Sequence, residues 1–305
     1  MIRTNGIPRG RHETSFVECL GKFYLIGGRE ADGLIECFDP AMKTWSQMKA
    51  TSPLIHHYQP LVYDKKIYMV GAMTGFYPDE PPMDSIQIYD PVEDLWKIGG
   101  SIPEERRRGG SGAVLYNGKI YIAGGITSGH TSGTNGWFDS YNPETDSWEK
   151  LADAPHIRDH FHGVVVGHKL YCIGGRNGSF HDPDFESFFA AVINEIDVYD
   201  FETSTWSILP PVSSLPVGSA EGGVATLNGK ILYFGGENAT EALELCWEFD
   251  PETEKWSELP PLNQGRHGTQ AISYSNKVWV ACGSPLRGGS ARECGNVSSM
   301  EVYSR

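Results

Sequence analysis

Arg11, Arg108, Arg158 and Arg266 each stand sixteen residues ahead of a short glycine-bearing segment, at 27, 124, 174 and 282. The same count back from two further segments, at 71 and 235, reaches Ile55 and Ser219. Two places further along come Glu13, His57, Gly110, His160, Glu221 and Gly268, and two beyond those Ser15, Gln59, Gly112, His162, Gly223 and Gln270. Arginine pairs bidentately with carboxylates and sulfates, so this set could hold an anion. Beside such an arginine, Asp159 with His160, or Glu221 with Arg266, could serve as general acid or base. The imidazoles of His57, His160 and His162 suit a divalent metal; no cofactor is required, but such an ion is an open possibility.

The elements that would position these groups are short strands. Residues two apart on a strand share a face, so the recurring positions are expected to point the same way. The six anchors are Gly27-Gly28, Gly71-Ala72, Gly124-Gly125, Gly174-Gly175, Gly235-Gly236 and Cys282-Gly283. The first five are followed by an aromatic residue and, seven residues later, a tryptophan: Phe38 and Trp45, Tyr89 and Trp96, Tyr141 and Trp148, Tyr199 and Trp206, Phe249 and Trp256. Turn residues such as Asp39-Pro40 and Asp250-Pro251-Glu252-Thr253 fill the interval and suit tight hairpins. A short antiparallel unit repeated about every 50 residues marks a propeller.

These residues resemble the kelch motif, with its double glycine, its Tyr-Asp-Pro and its spaced tryptophan. The resemblance covers essentially the whole chain. It implies an all-β fold, a six-bladed β-propeller of four-stranded blades forming one domain over residues 1–305, with the five tryptophans packed between sheets. The sixth unit stops at Arg305 after its third strand, so residues 1–8 are expected to complete that blade, with Met1 where a tryptophan would stand. Such a latch removes open sheet edges.

In a propeller the inner strands line a central channel, so one polar position recurring in every blade makes a ring around one mouth. The glycine-anchored strands return to that mouth with Arg29, Arg176, Glu237 and the loop holding His130, Trp137 and Asp139. The expected ligand site is therefore Arg11, Glu13, His57, Arg108, His130, Asp139, Arg158, His162, Arg176, Arg266 and His267, a locally positive mouth. Of the Arg106-Arg107-Arg108 run only Arg108 is in register to point inward. Against this stands a plainer use of each arginine, which could bind carbonyls of the adjacent blade. Phe180, Phe185, Phe188 and Phe189 crowd one long loop, residues 177–192, which either covers a neighbouring blade or forms a lid. The loop from Ile126 to Trp137, rich in Gly and Ser, reads as mobile.

The expected partner is an anionic small molecule, a carbohydrate or sugar acid; free-standing bacterial kelch proteins, which the chain resembles, include a sialic-acid mutarotase. The alternative is an acidic peptide, as bound by the arginine-rich mouths of kelch domains in ubiquitin-ligase adaptors. The resemblance to galactose oxidase extends to the repeat alone, since its Tyr–Cys partnership is not found.

A net charge of -14 argues against nucleic acid, whose backbone is met by basic residues. No run of about 18 apolar residues supports a membrane span, and a monomer is expected. Read as given the chain is cytoplasmic, or exported if a signal peptide was removed before residue 1. Cys19, Cys37, Cys172, Cys246 and Cys282 read as small buried hydrophobes, with Cys294 in an exposed loop.

Overall fold

In the computed structural model, residues 5–29, 31–288 and 295–304 are described; Met1 and Cys294 lie outside them. Five sheets have four antiparallel strands each, in simple up-and-down order, and the sixth has three. The first blade shows the pattern: Ser15–Cys19, Lys22–Ile26, Leu34–Asp39 and Thr44–Thr51. The six inner strands, beginning with Ser15–Cys19, Pro60–Tyr63, Gly112–Tyr116, His162–Val166, Gly223–Leu227 and Ala271–Tyr274, contact one another in circular order. The last touches the first, and the ring is closed. Among the described residues no helix is long and apolar enough to cross a membrane.

Alternating apolar residues bury themselves between neighbouring blades. Phe23, Phe38 and Trp279 pack across the junction of the sixth and first blades, and Tyr171, Tyr233 and Phe249 across that of the fourth and fifth. The tryptophans lie half-buried at the outer rim of these layers. Trp148, Trp206 and Trp256 each donate their ring N–H to the carbonyl that follows the preceding blade's outer strand, Ser101, Ala152 and Ser213. The first blade differs: Asn5 pairs with its outer strand, accepting from the Trp45 backbone N–H at 3.1 Å and donating to Lys43 O, while the Trp45 ring N–H is unpartnered among the described residues. Among the described residues the sixth blade has the three strands Ala271–Tyr274, Lys277–Ala281 and Met300–Ser304, and the N-terminal segment meets it where Arg9 O lies 3.7 Å from Cys282 Sγ. Residues 1–4 of the expected latch lie outside the described residues.

The anchor glycines have a steric reason. The N–H of Gly125 donates to Arg158 O of the next blade at 2.8 Å, and a Cβ on Gly124 would lie 2.5 Å from that oxygen. Gly175, Gly236 and Gly283 make the same bond to Ser219, Arg266 and Arg11, so successive blades are stitched near the axis.

Candidate functional site at the propeller axis

Just before each inner strand the chain turns through the left-handed region. Glu13, His57, Gly110, His160, Glu221 and Gly268 all have φ between 53° and 63°. Their backbones form a closed circle: His57 N–H donates to Glu13 O, Gly110 to His57, His160 to Gly110, Glu221 to His160, Gly268 to Glu221, and Thr14 back to Gly268. Only glycine adopts this conformation freely, so the other four residues bear strain of about 1–2 kcal/mol each, which the circle of bonds sustains. Because these residues lie in a turn outside the strands, the expected alternation fails. Adjacent residues, His56 with His57 and Asp159 with His160, are buried together, and the polar clusters include both members of each pair.

The arginines two residues earlier have a different use, and the expected positive mouth is corrected. Arg108 donates to Gly124 O, Ile122 O, Trp137 O and Arg106 O, and meets Asp139 at 2.8 Å. Arg158 donates to Gly174 O, Cys172 O and Glu195 O and pairs with Asp197 at 2.9 Å. Arg11 is held by Gly27 O, Leu34 O and Glu36, and Arg266 by Cys282 O, Ser299 and Glu301. These carbonyls belong to each arginine's own blade, not to the adjacent one. Asp139 serves the same framework, taking a bidentate pair from Arg106, which is buried over the Trp137 ring rather than solvated.

At the axis itself Arg29 and Arg176 face Glu13, Glu80, Glu221 and Glu237, so carboxylates outnumber guanidiniums four to two. Arg29 Nε donates to Glu80 Oε1 at 2.9 Å and its Nη2 to His57 Nε2 at 2.8 Å. His130 donates Nδ1–H to Glu80 Oε2 at 2.7 Å, leaving Nε2 to accept from Arg29 and Arg176, each at 3.4 Å. Arg176 pairs with Glu237. His160 gives Nδ1–H to Asp159, which also accepts from Gly178 N and Thr134 Oγ1. His267 Nε2 lies 3.7 Å from Glu13 and 3.6 Å from Glu237.

Among the described residues Glu221 stands out in this network because both of its oxygens are unpartnered, where Arg176, His267 and His160 each leave a single nitrogen so. It is 5% exposed, and neither carboxyl oxygen has a hydrogen-bond partner; His160 Nε2, also unpartnered, stands 3.2 Å from its Oε1. Burial, and then the negative charge of Glu13, push the Glu221 carboxyl well above the usual range. Burial acts on Glu13 in the same sense, but the Arg29 charge and the nearness of the protonated Glu221 carboxyl outweigh it and hold Glu13 at about 2. The two carboxyls therefore share one proton, held on Glu221. Burial drives His57 and His160 well below 6.5, and takes His12 and His56 to about 4. Burial also lifts Asp159 to about 6 against the pull of Arg176.

Two loops cover the cluster. Asp184 caps the short helix Phe185–Phe189, which seats Phe188 on His130 and beneath it the Arg176 guanidinium, while Phe185 meets Tyr77 from the second blade. Phe189 reaches Arg287 of the sixth blade. The phenylalanine loop is thus a lid over the mouth. His130 is pinned rather than mobile, 2% exposed and tied by its N–H to Pro78 O. On the other side Gln59 bonds Ala113 N and Gly163, and Gln270 bonds Phe16 N and Tyr58 O, knitting inner strands together. His162 belongs to this lower tier, donating to Gly222 O and accepting from Gln270, so it does not join His57 and His160; His130 does. Between ring and glutamines remains a cavity of about 30 Å³, bordered by Glu13, His57, His160 and Glu221, room for a water or two or an ion. Sequence reasoning missed Glu80, His12 and His56. The latter two were legible as neighbours of ring positions, whereas Glu80 sits in a loop that no other blade repeats.

Residues 62–283 match the family model described as the KLHDC2/KLHL20/DRC7 Kelch-repeats domain. The chain belongs to the kelch-repeat propellers. It is 26% identical over 308 residues to Kelch-like protein terF of Aspergillus terreus, covering 94% of this chain and 64% of that protein. It is 31% identical over 265 residues to Kelch-like protein 15 of Danio rerio, covering 77% and 40% respectively. This kelch chain therefore spans less than two thirds of either relative. The solved structure of YjhT superposes with a TM-score of 0.79 over 99% of this chain and 97% of that one at 17% identity, a likeness of fold.

Proposed function

We propose that this kelch propeller binds a small polyhydroxylated molecule, a sugar or sugar acid, at the axial cluster when the phenylalanine lid lifts. The observation that carries the reading is the Glu221 carboxyl, buried and unpartnered beside an equally unpartnered His160 Nε2. A stable fold avoids such orphans, and a ligand hydroxyl, both donor and acceptor, satisfies the two together. With Asp159 behind it, His160 takes a proton from one hydroxyl of the sugar while Glu221 gives its proton to another oxygen of the same sugar, an arrangement suited to acid–base chemistry. Neutral sugars are favoured over acids, because the four anchor arginines are occupied and carboxylates dominate the axis. The same occupation removes the support for an acidic-peptide partner. The cavity on the far side of the ring holds no more than a water or two, so a sugar must approach from the covered side, and binding requires the lid to move.

Titration calorimetry of chelator-treated protein against neutral sugars and sugar acids tests this. Saturable binding by the parent, weakened at least tenfold by Glu221→Gln, is expected. Absence of binding to every sugar, in the parent and in a variant with residues 180–189 replaced by a short Gly/Ser linker, overturns it.

A further inference from the structure

We propose that the axis holds one divalent first-row transition-metal ion, ligated by Glu13, His57, His160 and Glu221 from four equivalent positions of the left-handed ring. The inference goes beyond the sugar reading and does not depend on it.

The argument begins with which atoms face each other. Asp159 fixes the proton of His160 on Nδ1, so Nε2 presents a lone pair. That lone pair looks at a carboxyl oxygen, Glu221 Oε1, 3.2 Å away. His57 Nε2 lies 3.4 Å from Glu13 Oε2 and 3.7 Å from Glu221 Oε1. Three acceptors, on Glu13, His57 and Glu221, face one another, and His160 Nε2 adjoins the Glu221 oxygen of that set; acceptors crowd in this way only around a proton or a cation. Their separations match the edges of a tetrahedron with metal–ligand bonds of about 2.1 Å, roughly 3.4 Å. Glu13, His57 and Glu221 satisfy the mutual-distance requirement for a shared ion. The adjoining cavity has room for an ion or a water ligand.

Charge points the same way. Once an ion displaces the proton on Glu221, Glu13, Glu80, Glu221 and Glu237 against Arg29 and Arg176 carry two net negative charges, three with Asp159 ionised, buried beneath the lid. One divalent ion supplies what is missing. Two imidazoles among four donors select the manganese-to-zinc series over magnesium or calcium, which prefer oxygen alone. Asp159 is then a positioning residue in a carboxylate–histidine–metal relay. Arg29, which takes the His57 Nε2 lone pair in the metal-free form, keeps Glu80 through its Nε when it yields that nitrogen.

The test strips the full chain with chelator and titrates Zn²⁺ and Co²⁺, reading stoichiometry by calorimetry and elemental analysis and ligation by the visible d–d band of Co²⁺. One ion per chain is expected, with a histidine-ligated Co²⁺ spectrum. Glu221→Gln should weaken it at least 100-fold and Asp159→Asn about 10- to 100-fold, each variant checked for native near-ultraviolet dichroism. His168→Gln alters an exposed His168, Asp200 and Glu202 group on the fourth blade and should leave binding unchanged. Should Glu221→Gln fail to fold, Glu13→Gln replaces it. Lack of saturable binding, equal binding by the ring variants, or loss in His168→Gln alone overturns the metal site. Sugar binding by stripped protein is read separately, so either proposal can fail alone.

Discussion

Two rings of polar residues circle this propeller two positions apart in sequence, and they are built to opposite rules. In the arginine ring, Arg108 and Arg158 spend their donors on carbonyls and a carboxylate of their own blades. In the next ring Glu221 and His160 end on each other with oxygens and a nitrogen unpartnered. The first ring is framework, because each of its arginines is answered by carbonyls and a carboxylate of its own blade, with Arg158 Nε the one guanidinium nitrogen left over among the described residues. The second is strained, desolvated and incomplete, the state expected of a site whose partner comes from outside.

Acid should separate the arginine ring most sharply from the buried histidines that flank the axial ring. The arginines keep their charge at all accessible pH. His12, His56 and His162, held at about 4 by burial, are neutral in the folded chain but protonate near 6.5 once it unfolds. The unfolded state therefore binds more protons between those values, and stability present above about 6.5 is lost as the pH falls toward 4. The unfolding free energy from urea titrations at stepped pH should fall by several kcal/mol across that window; a flat profile would show these histidines to be charged in the fold. Next in size is Arg158→Ala, which leaves Asp197 to His156 alone and takes the donor from three carbonyls, and should cost about 3–5 kcal/mol by chemical denaturation. Phe188→Ala should cost about 3 kcal/mol and speed hydrogen exchange at His130 and Arg176, the groups beneath the lid. Unchanged exchange would mean the loop does not seal the mouth.

The framework was legible because it repeats. Glycine anchors and the fixed aromatic-to-tryptophan interval reach every blade, and counting back from the anchors found both rings. What failed was the step from position to direction. Strand alternation was applied to residues that lie in left-handed turns ahead of the strands, which hid His12 and His56. Arginine in register with the axis was read as a charge offered to a ligand, although carbonyls of its own blade lay within reach of every guanidinium. Glu80 was illegible for another reason: it arrives on a loop between Gly71 and Ser85 that obeys no repeat, and only tertiary structure brings it to Arg29 and His130. His162 shows the converse, a repeat position of the right type that the inner strand carries below the cavity.

The most direct measurement of the contrast is the stability of Glu221→Gln in chelator-treated protein at neutral pH. If the axial ring is held open for a ligand, replacing an orphaned carboxyl by an amide of the same shape leaves stability within about 1 kcal/mol of the parent, or raises it. A loss comparable to that of Arg158→Ala would contradict the account and place Glu221 among the residues that hold the propeller together.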